Sequence, residues 1–336
     1  MKVHLFHRAP GPGFHSIEAI FTTLEPQLAQ HCEVANFHVP RPEFSPSALL
    51  ANIRYASRHV GQVNHITGHV HYLALGLRKN VVLTVHDTRS SLAGRGYEVL
   101  LKKALLYWLP ARFVKRITAV SEQTKGELQA LLGGAQAIDV VPNPYSPLLT
   151  FKPKAFPASK PTVLHLGTTP NKNLARTIQA LARIPCRLVI VGRPSPPEQQ
   201  ILDEAAIEYE THSDVPFSRI VELYERCDLV SFVSTYEGFG MPIIEGQVVG
   251  RPIVTSNLTP MKEVAGGAAV LVDPDDVRSI RDGFQKVIES ESLRAELVSR
   301  GARNARRFHP ETIARAYLQI YREVLAARTR PALSRP

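Results

Sequence analysis

The sequence predicts an α/β protein built as two doubly wound, Rossmann-like domains, and three observations carry that prediction. Short apolar runs alternate with longer amphipathic stretches along the whole chain, the rhythm of strand–helix units. Runs such as 81–85 and 229–233 contain almost no polar residue, as expected of parallel strands covered on both faces. A proline-dense stretch holding Pro142, Pro144, Pro147, Pro153, Pro157 and Pro161 interrupts the rhythm midway. Proline suits neither a helix interior nor a central strand, so this stretch marks a domain boundary. The 336 residues accommodate two domains of ordinary size.

In chain order, the first half predicts strands at 2–6, 33–38, 63–66, 81–85, 116–120 and 138–141, with helices over 16–30, 46–59, 95–109 and 122–132. The second half predicts strands at 162–166, 187–191, 206–209, 229–233, 252–255 and 269–272. Its helices fall at 172–182, 195–204, 217–225, 241–249, 276–289, 292–306 and 310–326. The domains are thus 1–150 and 151–310, with a last helix at about 310–328 able to pack back on the first. Ligands of open α/β sheets bind beyond the carboxyl ends of the strands, so two such domains would face one another across a central cleft.

Composition narrows the partners. The net charge is +10, which favours anionic ligands such as nucleotide phosphates, anionic lipid or nucleic acid. Cys32, Cys186 and Cys227 form no CxxC pair and no disulfide framework, which suits a reducing, cytoplasmic compartment. The opening apolar run is too short for a signal peptide and reads as a buried strand. No run approaches the roughly 18 apolar residues of a membrane-spanning helix, so a soluble or peripheral protein is expected. The segment 95–116 interleaves Tyr107 and Trp108 with Arg95, Lys102, Lys103, Arg112, Lys115 and Arg116. It suits either a core-packed helix or a peripheral contact with an anionic membrane at its inner face. No nucleic-acid module is visible. Pro10-Gly11-Pro12-Gly13 lacks the third glycine of a dinucleotide fingerprint.

The most informative segment runs from 229 to 255, LVSFVSTYEGFGMPIIEGQVVGRPIVT. An apolar strand leads into Glu237-Gly238-Phe239-Gly240. Met241-Pro242 then opens a helix, with proline suited to its first turn. Gly250-Arg251-Pro252 closes the helix before the next strand. N–H groups at 239–242 and the helix dipole make an anion site. Gly238 and Gly240 allow close approach to the backbone. Glu237 and Glu245, eight residues apart, could accept hydrogen bonds from sugar or ribose hydroxyls. Each could also be an ordinary helix-terminal charge.

This segment resembles the E-x7-E signature of the GT-B glycosyltransferases of family 4, the glycosyl transferases group 1. The resemblance implies that Glu237 contacts the donor sugar and Glu245 the nucleotide ribose, with Phe239 and Met241 beside them. Gly246 stands where the family usually has alanine. In PTVLHLGTTPNKNL (161–174), Lys172 matches the family's phosphate-binding lysine, while Thr168, Thr169 and Asn171 replace the usual arginine. Gly167, Thr168 and Asn173 are expected to line the donor pocket. Ser256 and Asn257, with Glu263, match polar positions of its wall. His86, after strand 81–85, matches a strand-end histidine of the family, and Gly13 its acceptor and phosphate loop. Asp273-Pro274-Asp275 is formally a DxD metal motif but reads better as a turn.

The resemblance implies a retaining, metal-independent hexosyltransferase, such as a mannosyltransferase, with catalytic Glu237, Lys172 and His86. It would use a UDP- or GDP-sugar as substrate, need no cofactor or metal, and accept a glycan or lipid-linked acceptor in surface polysaccharide or lipid-linked glycan assembly. The alternatives are a nucleotide-sugar epimerase of the same fold and a non-catalytic basic module for membrane or nucleic acid.

Overall fold

The computed structural model describes residues 1–10, 16–89, 92, 96–134 and 136–326. Gly13 and the C-terminal tail therefore lie outside the described residues. The chain divides into two compact units, one of residues 1–144 with 310–336, the other of residues 145–309.

Unit 1 contains strands β1 (Lys2–His7), β2 (Glu33–His38), β3 (Val63–Ile66), β4 (Val81–Val85), β5 (Arg116–Ala119) and β6 (Ile138–Val140). They form a parallel sheet in the order β2-β1-β3-β4-β5-β6. Its helices are α1 (Ser16–Ala29), α2 (Pro46–Arg58), α3 (Ala74–Leu77), α4 (Tyr97–Lys103), α5 (Leu109–Ala111) and α6 (Glu122–Leu132). Successive strand residues point to opposite faces. Phe6, Leu83 and Val85 enter one core with Leu73 and Tyr107. Val3, Leu5 and Val82 enter another with Phe21 and Leu24.

Unit 2 contains β7 (Thr162–Leu166), α7 (Leu174–Leu181), β8 (Arg187–Val191), α8 (Pro196–Ala205), β9 (Glu208–His212), α9 (Phe217–Arg226), β10 (Leu229–Phe232), α10 (Met241–Val249), β11 (Ile253–Ser256), α11 (Met261–Ala265), β12 (Val270–Val272), α12 (Val277–Glu289) and α13 (Glu291–Ala305). A final helix, α14 (Pro310–Ala326), returns to unit 1. The unit 2 sheet is parallel in the order β12-β11-β10-β7-β8-β9. The order reverses between β7 and β10, and the crevice of a doubly wound sheet opens at such a reversal.

Three expectations need correction. The helix expected over 95–109 is not continuous: α4 gives way to a π-helical turn at Ala104–Trp108 before α5. Pro110 has no N–H to offer the carbonyl of Leu106, four residues back. His71 Nδ1 donates to that carbonyl instead, at 2.7 Å. Strand β9 begins two residues later than expected, because the edge segment Glu208–His212 is polar and has no fully buried face. The helix expected from 172 begins at Leu174, for a reason that belongs to the site.

Candidate functional site

The site assembles in unit 2 from the loops that follow β7 and β10. Gly167 ends β7 with φ +91°. A Cβ there would come within 2.9 Å of Lys172 Cγ, so glycine leaves room for the lysine stem against the strand end. Pro170–Lys172 then forms a single 3₁₀ turn. Asn173 takes left-handed backbone, φ +62°, and α7 starts after it. Lys172 therefore lies before the helix and not in its first turn, where the expected span 172–182 puts it. It is held by a side-chain partner.

That partner is Glu237. Lys172 Nζ donates to Glu237 Oε1 at 2.6 Å. The ammonium also lies 4.8 Å from the centroid of the Phe232 ring, within cation–π range. The two side chains keep 21% and 14% of their surface exposed, enough for a ligand to reach both. Asn171 Nδ2 donates to the carbonyl of Tyr236 at 3.0 Å and to Glu237 Oε1 at 3.3 Å. Thr235 N–H donates to Asn171 O at 2.8 Å. Asn173 Nδ2 spends its two hydrogens on Val233 O and Pro274 O. Asn173 thus braces three loops from a buried position.

At the start of α10, Gly240 is the N-cap with φ +119°. Pro242 carries no N–H, so the donors expected across 239–242 reduce to those of Phe239, Gly240 and Met241. The ring of Phe239 is buried edge-on against Phe308, with centroids 5.7 Å apart. Only its main chain is available to a ligand. The glycine Gly238 likewise offers backbone alone.

Glu245 lies one turn further along α10, 7% exposed. Burial raises its carboxyl to about 7, against the pull of a hydrogen bond from Tyr224 and the charge of Lys172. Thr168 is half-buried, and its side chain occupies the space where a Cβ of Gly192 would stand, 2.7 Å from Cγ2. Ser256 is fully buried and donates to Ser234 O, tying the ends of β11 and β10. Asn257 and Glu263 are exposed. In the Asp273-Pro274-Asp275 segment, Asp273 Oδ1 accepts from the N–H of Asp275 at 2.9 Å. That carboxylate closes its own turn.

His86 belongs to unit 1. It follows β4, and its Nε2 lies 2.8 Å from Thr67 O. A carbonyl can only accept, so Nε2 carries the proton. Burial lowers the imidazole to about 4, so the ring is neutral near pH 7 and offers Nδ1 as an acceptor.

A separate cavity of about 60 Å³ lies near the amino ends of β7 and β8, lined by Thr162, Arg187, Glu210, Leu223, Arg226 and Cys227. It has room for a few waters and is remote from the Glu237 crevice. The crevice is therefore the stronger ligand site, on topology and chemistry alike. The sequence pattern puts Asn171 where the family has arginine without foretelling its bond to Glu237, and it does not single out Tyr224 at all. Asn171 was readable as a neighbour of Lys172, whereas Tyr224 carries no local signal.

Family comparisons agree with this architecture. Residues 1–147 match the family described as "Glycosyltransferase Family 4", and residues 149–304 match "Glycosyl transferases group 1". The chain belongs to the GT-B glycosyltransferases of family 4. It is 28% identical over 176 residues to O-antigen chain mannosyltransferase B of Escherichia coli, covering 47% of this chain and 45% of the relative. It is 31% identical over 160 residues to the D-inositol 3-phosphate glycosyltransferase of Acidothermus cellulolyticus, covering 44% and 36%. The chain spans less than half the length of these curated relatives. Among solved structures, Anabaena HepE in complex with UDP and glucose superimposes with a TM-score of 0.75 at 19% identity, covering 96% of this chain and 100% of that one. Sucrose-phosphate synthase from Thermosynechococcus elongatus gives a TM-score of 0.78 at 18% identity, covering 98% and 100%.

Proposed function

We propose that this chain transfers a hexosyl group, such as mannosyl, from a UDP- or GDP-sugar to an acceptor hydroxyl, with retention and without a metal. The observation that carries the reading is the meeting of Lys172 and Glu237 at the strand-order reversal of unit 2, beside the start of α10. Lys172 and the amides of 239–241 would stabilise the leaving diphosphate through charge-assisted hydrogen bonds. Glu237 would accept from a sugar hydroxyl, and Glu245 from the ribose. His86, neutral, would accept from a hydroxyl of sugar or acceptor. The anomeric carbon–phosphate oxygen bond breaks, with its electron pair going to the diphosphate. The acceptor oxygen bonds to the anomeric carbon on the same face, and its proton passes to the departing phosphate oxygen.

The test is Glu237→Gln, which keeps the shape and a hydrogen-bonding group. Turnover with UDP- and GDP-hexoses should fall about 10²–10³-fold, the scale of one lost electrostatic contact in a transition state. The melting temperature should stay within a few degrees. Undiminished turnover would overturn the assignment.

For the setting, we propose glycan or lipid-linked acceptors and peripheral attachment at an anionic, inner membrane face, in surface polysaccharide or lipid-linked glycan assembly. Tyr97, Leu100, Leu101 and Trp108 are exposed along α4 and the turn after it, beside Lys102 and Lys103. No described helix is long and apolar enough to cross a membrane.

A further inference from the structure

Glu245 is an unusual carboxylate for a helix packed into a core. One oxygen, Oε2, accepts from the hydroxyl of Tyr224 at 2.7 Å. The other, Oε1, meets no hydrogen-bond donor among the described residues. Tyr224 lies on α9, fully buried. Burial, reinforced by the neighbouring carboxylate, pushes its hydroxyl well above 10, so it is a donor throughout the working pH range. Its backbone is pinned as well. Arg251 Nε donates to Tyr224 O at 3.0 Å, and the same guanidinium bonds Lys152 O and Glu225 O, each at 2.8 Å. The tyrosine cannot drift with its partner, and it fixes which carboxylate oxygen is left over.

We propose that Tyr224 is a positioning residue for nucleotide recognition: its hydroxyl holds Glu245 Oε2 so that Oε1 remains an oriented acceptor for a ribose hydroxyl of the nucleoside diphosphate. This rests on the reading of Glu245 as the ribose-binding carboxylate. Removing the tyrosine hydroxyl leaves the ring packing intact and deprives the buried carboxylate of its one internal donor. Glu245 then turns or takes up a proton, and the ribose loses its acceptor.

The test is calorimetric titration of UDP and GDP, and of their 2′,3′-dideoxy counterparts, into the full chain and into Tyr224→Phe, Glu245→Gln and the double variant. The wild type should bind the tighter ribonucleotide about tenfold better than its dideoxy form, the scale of one hydrogen bond to a charged group. Tyr224→Phe should lose about that factor for the ribonucleotide and nothing for the dideoxy form. Adding it to Glu245→Gln should cost no more than Glu245→Gln alone. A Tyr224→Phe variant that weakens both forms equally, or neither, overturns the positioning role while the ribose assignment stands. A wild type blind to the missing hydroxyls overturns the ribose assignment itself, and the role of Tyr224 with it.

Discussion

A carboxylate raised to about 7 from an ordinary 4.5 has a measurable consequence beyond ligand binding. Folding makes Glu245 harder to ionise, because burial disfavours its charged form more than Tyr224 and Lys172 restore it. Below about pH 4.5 it is protonated in folded and unfolded chains alike, and it costs nothing. Between about pH 4.5 and 7 the unfolded chain ionises first, so the folded state loses stability as the pH rises. Above about pH 7 the cost is complete, on the order of 3 kcal/mol for a shift of this size. Glu245→Gln should therefore stabilise the protein at pH 8 by about 1–3 kcal/mol and have almost no effect at pH 4. Urea denaturation at the two pH values measures this, and a difference independent of pH would deny the shift. With the proposed ribose contact, the same variant should also bind nucleotide less well. At this scale the sequence was partly legible. The spacing of Glu237 and Glu245, and Gly240 before a helix, stood out because they are close in the chain. The pairing of Lys172 with Glu237 crosses 65 positions, and Tyr224 stands on another helix. Both exist only after folding, and neither leaves a pattern in a window of sequence.

Among the elements, strands buried on both faces were readable almost to the residue, because continuous apolar runs have few alternatives. The short helices α3 and α11 passed unnoticed, since neither spans enough turns to display a helical period. The segment after residue 95 shows how two readings of one stretch can both describe it. Leu106, Tyr107 and Ala111 enter the unit 1 core, as a core helix would. Tyr97, Leu100, Leu101 and Trp108 stay exposed, and Lys102 and Lys103 flank them. Apolar side chains that enter an interface between basic residues attract anionic lipid. The protein should co-sediment with phosphatidylglycerol vesicles and not with phosphatidylcholine, and high salt should weaken the binding. Replacing both Leu100 and Leu101 by Asp should lower it at least tenfold, since each buried leucine contributes about 1.5–3 kcal/mol. Equal binding to both lipids, or no effect of the double replacement, would sink the membrane proposal.

For the whole molecule, the consequential fact is that the chain leaves unit 1 at Pro144 and returns to it at Pro310. The return is not incidental packing. On α14, Ile313, Tyr317, Leu318, Tyr321 and Val324 join the core against Val3, Leu5, Phe21 and Val82. A polar chain runs beneath them: Tyr321 Oη lies 2.7 Å from His65 Nδ1, His65 Nε2 lies 2.7 Å from Thr84 Oγ1, and Thr84 reaches Thr118 at 2.7 Å and Tyr317 at 3.2 Å. Burial lowers His65 to about 3, so the imidazole is neutral, with one nitrogen donating and the other accepting. Without α14 these buried groups would lose partners, and a sheet face would lie bare. Among the described residues, the core of unit 2 and the contacts printed for Lys172, Glu237 and Glu245 are all made within its own span. Residues 145–309 expressed alone should therefore unfold cooperatively in urea and bind nucleoside diphosphate. Residues 1–144 alone should unfold without cooperativity or aggregate, and adding α14 through a short linker should restore a sharp transition. If the 1–144 fragment unfolds as cooperatively as the fragment carrying α14, the helix is an accessory to unit 1 and not part of its core.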